Sequence, residues 1–466
     1  MAFKVLVKST LLLLALASVV SAKRTPGAIR YNNGTHDFKD TVIMISIDGF
    51  RYDYMERGLT PHLADMVKRG GVQAAYMTPS FPSVTFSNQY SLVTGLHPES
   101  HGIVNNQFYD PELGEFSHRD KAVHKNPKWW GGEPLWVTAH KQGLKSASVM
   151  WVGSEANVQG KNPDYLMPFK VVHPHEKVDQ LMAWLDLPVE ERPSLLLGYF
   201  SEVDDVSHRT GASGDKFNEA LGITDKTMAY LQDQLTLRNL TDIVNVVYVS
   251  DHGMQSVPRE RYIMFDEAYP NMDDFRVVGS DPVVTLYPHD YSKVPEIYEQ
   301  LKEASQGQPW KAYLKEDLPQ EFHYQNSDRI APIICAPESG YTFCTTKKYP
   351  NSKIWSERGD VSGTHGYNNT DPMMRAIFIA HGPKFRSTTS ALGAPTEYQD
   401  KNINTPRELH RPIKLVDVYN IVANALDLTP APNNGTKFKT SKTDYIHDYI
   451  RGSIRGHFRK IHSLLF

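Results

Sequence analysis

The sequence has little of three features that would each narrow its function class. It has only two cysteines among 466 residues, and two thiolates alone cannot complete a metal site. Its 50 basic and 53 acidic residues leave a formal net charge of −3, so nothing global indicates a surface for nucleic acid or for a membrane. After the N-terminus no stretch is apolar enough to cross a bilayer. The composition is otherwise that of a globular protein, 40% hydrophobic and 22% charged, which is enough to bury a substantial core.

The first 22 residues have the pattern of a signal peptide. Lys4 and Lys8 precede an uncharged run from Ser9 to Ala22, which is shorter than the ~20 residues that a membrane-spanning helix needs. We therefore predict cleavage near Ala22 and secretion to the extracellular space. The alternatives are retention in the lumen of the secretory or vacuolar pathway, and an uncleaved signal anchor.

Two other features fit an oxidising, glycosylating compartment. Acceptor sequons for N-glycosylation occur at Asn33, Asn239, Asn368 and Asn434. In a secreted protein, we interpret Cys335 and Cys344 as one short-loop disulfide. The alternative is a pair of buried thiols.

Apolar runs alternate with amphipathic segments along most of the chain. Six runs are typical of strands: 42–47, 147–151, 195–200, 244–249, 283–286 and 376–380. Periodic segments at 61–69, 86–94, 178–185, 217–235 and 415–426 are typical of helices. This alternation predicts an α/β fold with a mainly parallel central sheet and helices on both faces.

The same patterns divide the chain into segments. We predict one large domain over residues 41–436, preceded by a polar segment at 23–40 and followed by a basic tail at 437–466. The stretch from about 259 to 361 is less regular and holds both cysteines. We expect it to be an insertion or cap on the same domain.

Three of the predicted strands end in residue types that bind metals. The residues that follow these strands are Asp48, then Asp204 and His208, then Asp251 and His252. An aspartate after a strand is more often a helix N-cap or a turn residue. In an open parallel sheet, however, ligands bind at the edge where the carboxyl ends of the strands meet. Three such ends therefore favour a common site over three separate caps.

A further histidine, His365, lies in the segment Gly363–Tyr367, where flanking glycines let the backbone approach a ligand closely. Together with the strand-end residues it makes three carboxylates and three imidazoles, which suit two Zn²⁺ ions or similar borderline metals. Two metals ~4 Å apart can stabilise both the attacking and the leaving oxygen of an in-line phosphoryl displacement. The sequence therefore predicts a two-metal site for phosphoryl chemistry.

The candidate nucleophile is Thr85, which lies where a predicted helix begins after the proline-containing segment Pro79–Pro82. A hydroxyl at a helix N-terminus meets the positive end of the helix dipole and free backbone N–H groups, which favour a phosphate. A metal touching this oxygen would lower its pKa and make it nucleophilic. Taken alone, Thr85 would be interpreted as an N-cap. Beside a two-metal site, the nucleophile is the favoured interpretation.

Several segments, taken together, are similar to the motifs of one enzyme family. They are Ile47–Arg51, Phe81–Asn88, Pro98–Asn106, Trp151–Glu155, Glu202–Asp204 with His208, Ser250–Met254 and Gly363–Tyr367. In this order, over residues 43 to about 430, the chain resembles the ectonucleotide pyrophosphatase/phosphodiesterase family of the alkaline phosphatase superfamily. The resemblance implies an alkaline-phosphatase-like fold. It covers the catalytic domain, without the disulfide-rich modules and nuclease-like domain of some members.

The resemblance also implies a ligand set for each of two zinc ions. One ion would be held by Asp48, Thr85, Asp251 and His252. The other would be held by Asp204, His208 and His365.

For the substrate, the resemblance implies a small-molecule nucleotide. Asn106 would hydrogen-bond a phosphate oxygen, and Phe86 and Phe169 would form aromatic walls around a nucleobase. Family members cleave nucleoside triphosphates, dinucleotides and nucleotide sugars to nucleoside 5′-monophosphates, through a covalent threonyl-nucleotide intermediate. Ser207 and Ser87 depart from the glycine and proline that are usual at these positions. Both departures bear on local backbone geometry, and neither removes a ligand.

Three other functions compete with this one. A choline-phosphodiester or lysophospholipid-cleaving member of the same family would keep the chemistry, but it would need an anionic or aromatic cage that we cannot locate. A phosphomonoesterase would prefer a cationic group where Asn106 lies. A catalytically inactive binding protein would have lost Thr85 or a metal ligand, and all of them are present.

Overall fold

The computed structural model describes residues 25–279, 282–345, 361–385 and 411–437. The predicted signal peptide, and all but the first residue of the predicted basic tail, lie outside these ranges. Within the described ranges, no helix combines the length and the hydropathy that a membrane crossing requires.

The strands, in chain order, are β1 (Ile29–Asn32), β2 (Asp37–Lys39), β3 (Thr41–Ile47), β4 (Val72–Gln73), β5 (Met77–Thr78), β6 (Gln107–Asp110), β7 (Gly114–Ser117), β8 (Ser146–Val149), β9 (Tyr165–Met167), β10 (Leu195–Phe200), β11 (Val244–Val249), β12 (Gln255–Pro258), β13 (Tyr262–Met264), β14 (Phe275–Val278), β15 (Val284–Pro288), β16 (Trp310–Leu314), β17 (Ile333–Pro337), β18 (Thr342–Cys344), β19 (Val361–Thr364), β20 (Phe378–His381) and β21 (Ile413–Lys414).

The α-helices, in chain order, are α1 (Pro61–Lys68), α2 (Thr85–Thr94), α3 (Pro98–His101), α4 (Lys121–His124), α5 (Leu135–Lys141), α6 (Pro174–Leu185), α7 (Glu202–Thr210), α8 (Asp215–Leu237), α9 (Phe265–Ala268), α10 (Val294–Ala304) and α11 (Asp417–Ala425). Short 3₁₀ turns lie at Tyr52–Arg57, Pro127–Trp129, Arg259–Arg261, Met272–Asp274, Tyr291–Lys293, Lys315–Asp317, Gln320–Phe322 and Pro372–Met374.

A seven-stranded sheet forms the centre of the molecule, in the order β4-β20-β11-β3-β10-β8-β9. The run from β11 to β9 is parallel, and near one edge β20 pairs antiparallel with both of its neighbours, β11 and β4. Every residue of β3, β10 and β11 is buried. A parallel strand is covered on both faces, which explains why these three are continuous apolar runs in the sequence.

Helices cover both faces of this sheet. Successive side chains of β3 point to opposite faces, so Val42 and Met44 enter one core while Ile43 and Ile45 enter the other. Helices α2, α5 and α11 pack in the first core, and α1, α6 and α8 pack in the second. The predicted α/β class, with a mainly parallel sheet between two helical layers, is confirmed.

The described residues between 259 and 361 form a more regular structure than their sequence suggested. Strands β14, β15, β17 and β16 form a four-stranded antiparallel sheet in that order. Helix α10 packs on it through Ile297 and Leu301, in a separate apolar core that includes Trp310. The segment also contacts the loop before Asn106, because the Tyr324 hydroxyl donates to the Val104 carbonyl at 2.7 Å.

The predicted disulfide between Cys335 and Cys344 is wrong in this structure, where both residues are buried thiols. Cys335 lies within the four-stranded sheet, on β17, paired with Val284 and Ala312. Cys344 ends β18, which pairs with β13 in a different sheet, and its Sγ lies 2.9 Å from Met264 Sδ. The two cysteines therefore lie on strands of different sheets, which short sequence separation does not report. Burial raises the pKa of the Cys335 thiol.

Candidate active site

The candidate site lies where three parallel strands end. Strand β3 leads into Asp48, β11 leads into Asp251 and His252, and β10 leads into α7, which carries Asp204 and His208. These strands are adjacent and parallel, so their carboxyl ends share one edge of the sheet. Residues that are distant in the sequence therefore lie together at this edge, as predicted.

One group of side chains surrounds His252. Its Nε2 atom lies 3.4 Å from Asp48 Oδ1 and 3.3 Å from Asp251 Oδ2. The Thr85 Oγ1 atom lies 3.2 Å from the same nitrogen. The three ligand-type side chains are fully or almost fully buried. These four are the residues that the family resemblance assigned to one metal.

A second group surrounds Asp204. Its Oδ2 lies 3.2 Å from His208 Nε2, one helical turn further along α7, and its Oδ1 lies 3.5 Å from His365 Nε2. The two Nε2 atoms of His208 and His365 are 3.2 Å apart. The rings of His252 and His365 stack with centroids 3.6 Å apart, so the two groups adjoin. All seven residues predicted as metal ligands therefore meet in one cluster.

The three imidazoles are each held by a hydrogen bond at the same ring nitrogen, Nδ1. Each Nδ1 lies within hydrogen-bond distance of a backbone carbonyl: 2.8 Å to Gly253 for His252, 2.9 Å to Gly363 for His208, and 2.9 Å to Ser83 for His365. A carbonyl only accepts, so each Nδ1 is the donor, and each Nε2 faces the centre, where a neutral imidazole offers a lone pair to a metal. Lone pairs facing carboxylates are unfavourable unless a cation lies between them. This is the usual arrangement of histidines that bind metals.

The carboxylates show the complementary feature. Asp48 Oδ1, Asp204 Oδ1 and Asp251 Oδ2 are buried atoms without a hydrogen-bond donor in the described part of the chain. Burial, reinforced by the charges of Asp251 and Asp204, raises the pKa of Asp48 well above its usual range. Buried oxygens of this kind are costly unless they coordinate a metal or bind a proton. The donor set, three carboxylates and three imidazoles, therefore fits divalent metals of the zinc type.

Comparison with known proteins agrees with this geometry. The profile of the family described as "Type I phosphodiesterase / nucleotide pyrophosphatase" matches residues 42–368. The chain belongs to this family. An uncharacterized pyrophosphatase/phosphodiesterase of Schizosaccharomyces pombe is 36% identical over 414 residues, which are 87% of this chain and 81% of that protein. Venom phosphodiesterase 2 of Crotalus adamanteus is 35% identical over 402 residues, 85% of this chain but only 46% of the venom protein.

A solved structure extends the likeness to the fold. Murine ectonucleotide pyrophosphatase / phosphodiesterase 5, solved as an inactive threonine-to-alanine variant in complex with AMP, superposes with a TM-score of 0.75 at 28% identity. The match covers 88% of this chain and 99% of the murine chain. The chain is therefore a hydrolase of the ectonucleotide pyrophosphatase/phosphodiesterase type, in the alkaline phosphatase superfamily. It spans less than half the length of the venom relative.

In this phosphodiesterase, Thr85 is the first residue of α2, as predicted. The N-cap is Val84, which has no side-chain hydrogen bond to offer the first turn, so Thr85 is not the N-cap. The N–H of Phe86 donates instead to Asn106 Oδ1 at 2.8 Å. Because that oxygen is used, the amide NH₂ of Asn106 is the group left to act as a donor. Asn106 therefore lies beside Thr85, the candidate nucleophile, with a donor available for a phosphate oxygen.

The two predicted aromatic walls lie in different surroundings. Phe86 is half-buried, with its ring 4.9 Å from His124 and 5.8 Å from His118. Phe169 lies on the loop after β9 and is 45% exposed, with Lys121 Nζ 6.0 Å from its ring centroid. Helix α4 carries both Lys121 and His124, so it links the two rings. Among the described residues no direct ring contact joins Phe86 to Phe169.

The departures from the family pattern leave the site intact. Ser207 lies inside α7, and its hydroxyl donates to the Val203 carbonyl at 2.6 Å, one turn earlier. The helix continues through it, so Asp204 and His208 keep their spacing. A Cβ on Gly363 would lie only 2.4 Å from the Ser207 carbonyl oxygen, which shows how closely β19 approaches α7. Ser87 is buried in α2, which also continues without a break.

Sequence reasoning missed three residues near the site. Tyr199, on β10, donates its hydroxyl hydrogen bond to Asp48 Oδ2. His118 and His124 border Phe86, and burial lowers the pKa of His118 to about 4, so it is neutral at physiological pH. A hydroxyl-bearing residue in the otherwise apolar strand β10 was the available signal for Tyr199. The two histidines lie in an irregular stretch whose position no periodicity predicts.

Glu202, which also follows β10, instead accepts from Lys177 at 2.7 Å.

The four sequons lie at the surface. Asn239, Asn368 and Asn434 are exposed, and Asn33 is half-buried. Asn33 and Asn239 are neighbours, because the Asn239 amide donates to the Asn33 carbonyl at 2.8 Å. Glycosylation at these positions stays a prediction.

Proposed function

We propose that this enzyme hydrolyses nucleotide 5′-phosphodiester and pyrophosphate bonds and releases nucleoside 5′-monophosphates, with Thr85 as its nucleophile and two zinc ions as cofactors. The observation that carries the proposal is the position of Thr85 Oγ1. It lies at the N-terminus of α2 and 3.2 Å from His252 Nε2, at the edge of the cluster of aspartates and histidines. The substrates would be nucleoside triphosphates, dinucleotides and nucleotide sugars.

The two ions would be shared between the groups described above. Asp48, Thr85, Asp251 and His252 would hold one, and Asp204, His208 and His365 would hold the other. Bound zinc would supply positive charge to the phosphoryl oxygens and lower the pKa of the Thr85 hydroxyl.

The protein residues account for the rest of the reaction. Thr85 Oγ1 loses its proton to solvent as it attacks phosphorus in line with the leaving group, so one P–O bond forms as another breaks, and the leaving oxygen takes up a proton from solvent. The result is a threonyl-nucleotide ester, which water cleaves to regenerate the hydroxyl. The NH₂ of Asn106 donates to a non-bridging oxygen and holds the diester without adding a full charge. The murine relative, solved as an inactive threonine-to-alanine variant with AMP, supports a threonine in this role.

Binding of the base would select nucleotides over other diesters. Phe86 borders the nucleophile directly, and Phe169 offers a partly exposed face across α4. A base placed against these rings gains stacking energy, whichever of the four bases it is. We also propose that the chain is a glycosylated protein that enters the secretory pathway by its N-terminal segment.

A single assay separates this proposal from its alternatives. Purified protein is mixed with a nucleoside 5′-monophosphate p-nitrophenyl ester or p-nitrophenylphosphocholine, each with and without a chelator. We expect faster release of p-nitrophenol from the nucleoside ester, and loss of both activities on chelation. Faster turnover of the phosphocholine ester would favour the choline-cleaving function, and activity unaffected by prolonged chelation would contradict the metal-dependent mechanism.

A further inference from the structure

We infer that Tyr199 is a positioning residue for one of the two metals, because its hydroxyl group fixes the orientation of the Asp48 carboxylate. This inference rests on the proposed two-metal function. It concerns a residue outside the predicted ligand set, which touches neither the substrate nor, in our assignment, a metal.

The contact is built into the central sheet. Tyr199 lies on β10, paired in register with Ser46 on β3, two residues before Asp48. The Asp48 N–H donates to the Phe200 carbonyl at 2.8 Å, which fixes the backbone. Rotation of the carboxylate is the freedom that remains, and the hydrogen bond from the Tyr199 hydroxyl to Oδ2 removes it. Both side chains are buried, with 7% of Tyr199 and 2% of Asp48 exposed, so water does not compete for the bond.

The hydrogen bond divides the two oxygens of Asp48 between two tasks. Oδ2 accepts from Tyr199, while Oδ1 has no donor among the described residues and lies 3.4 Å from His252 Nε2. Asp251 shows the same division, but its Oδ1 accepts from the N–H groups of Gly49, at 3.2 Å, and His252, at 3.0 Å. Asp251 is therefore oriented by the backbone, whereas Asp48 depends on one side chain.

Removing that hydroxyl would have a local effect. Asp48 Oδ2 would lose its donor, and the carboxylate could rotate away from the geometry that presents Oδ1 to the metal. Loss of such supporting hydrogen bonds typically weakens metal affinity ~10- to 100-fold. Asp204, His208 and His365 do not rely on this contact. Only the affinity for the metal held by Asp48 should therefore fall.

The chain contains a matched control. Tyr248 lies on the neighbouring strand β11, is also fully buried, and its hydroxyl has no hydrogen-bond partner within the ranges that the structure describes. Tyr248→Phe therefore removes the same atom from the same sheet without touching an aspartate. A general effect of removing a buried hydroxyl would appear in both variants, and a positioning effect only in Tyr199→Phe.

The experiment measures zinc retention in the full-length protein by titration with a chelating dye. We expect wild type and Tyr248→Phe to hold two zinc ions with equal affinity. Tyr199→Phe should bind one zinc ion as tightly as wild type does and bind the other with ~10- to 100-fold lower affinity. Added zinc should restore its activity. Substitution of Tyr199 by 4-aminophenylalanine, which keeps an N–H donor, should recover much of the affinity.

Equal zinc affinity in Tyr199→Phe and wild type would overturn the inference and leave the proposed function standing. Equal loss of zinc in Tyr199→Phe and Tyr248→Phe would overturn it as well. If Tyr199→Phe does not fold, the comparison is between the 4-aminophenylalanine variant and a folded Tyr199→Leu protein. Equal zinc affinity in those two would also overturn the inference. A wild-type protein that binds no zinc would instead refute the two-metal function itself.

Discussion

Replacing Phe169 by alanine should weaken nucleotide cleavage selectively. Stacking a base on an aromatic ring contributes ~1–3 kcal/mol, which corresponds to about 5- to 150-fold in kcat/KM. The gain comes from a part of the substrate remote from the reacting phosphorus, so a substrate without a base should not feel the change. We therefore expect a loss within this range on a nucleoside 5′-monophosphate p-nitrophenyl ester and almost none on methyl p-nitrophenyl phosphate.

The structure indicates that this change is safe for the fold. Phe169 is already 45% exposed, and the hydrogen bond of its backbone N–H to Glu155 Oε1 is independent of the side chain. Truncation therefore leaves no large buried cavity, and the expected stability change is that of a surface substitution, within about 0.5 kcal/mol. Val171, 96% exposed on the same loop, provides the matched control as Val171→Ala.

The assay compares kcat/KM for the two esters in wild type and both variants, with Tm measured in parallel. A selective loss in Phe169→Ala, absent from Val171→Ala, would support a base-stacking wall. An equal loss on both esters would show that Phe169 only supports the loop, and our reasoning about the nucleobase would be refuted.

Three further predictions concern the site and the core. Thr85→Ala should lower kcat by at least ~10³-fold, about 4 kcal/mol of barrier, with the circular dichroism spectrum unchanged; activity within about tenfold of wild type would remove Thr85 as nucleophile. His252→Ala and His365→Ala should each reduce bound zinc from two per chain toward one and nearly stop catalysis, and elemental analysis that finds two ions in both would show the ligand set to be wrong. Thiol titration of the denatured, unreduced protein should count two thiols, because the structure has Cys335 and Cys344 as thiols on strands of different sheets; a count of zero would restore the disulfide.

Much of the fold was predictable from local pattern. The strands β3, β10 and β11 coincide with predicted apolar runs, because a strand buried on both faces needs apolar residues throughout. Helix α2 begins at Thr85, close to its predicted start. The four-stranded sheet between residues 259 and 361 was harder to predict, since its strands β14 and β16 are only partly buried and leave a weaker pattern than the continuous runs of the central sheet.

The convergence of the metal-ligand residues was also predictable. Asp48, Asp204 and Asp251 each follow a buried strand, and the geometry of parallel sheets brings such ends together whatever the strand order. Residue types and positions along the chain therefore carried the prediction of a two-metal site. The order β4-β20-β11-β3-β10-β8-β9, by contrast, bears no simple relation to chain order. The antiparallel direction of β20 likewise depends on how the chain returns to the sheet.

What the sequence determined by itself was therefore the class of fold, the candidate nucleophile and the set of metal-binding residue types. The tertiary structure decided how those residues are oriented. The carbonyls that hold the imidazoles come from Gly253, Gly363 and Ser83, and the donor that fixes Asp48 is Tyr199 on a neighbouring strand. Most of these partners are separated along the chain by more than a hundred residues. Such contacts exist only after the sheet has formed, and no local pattern in the chain encodes them.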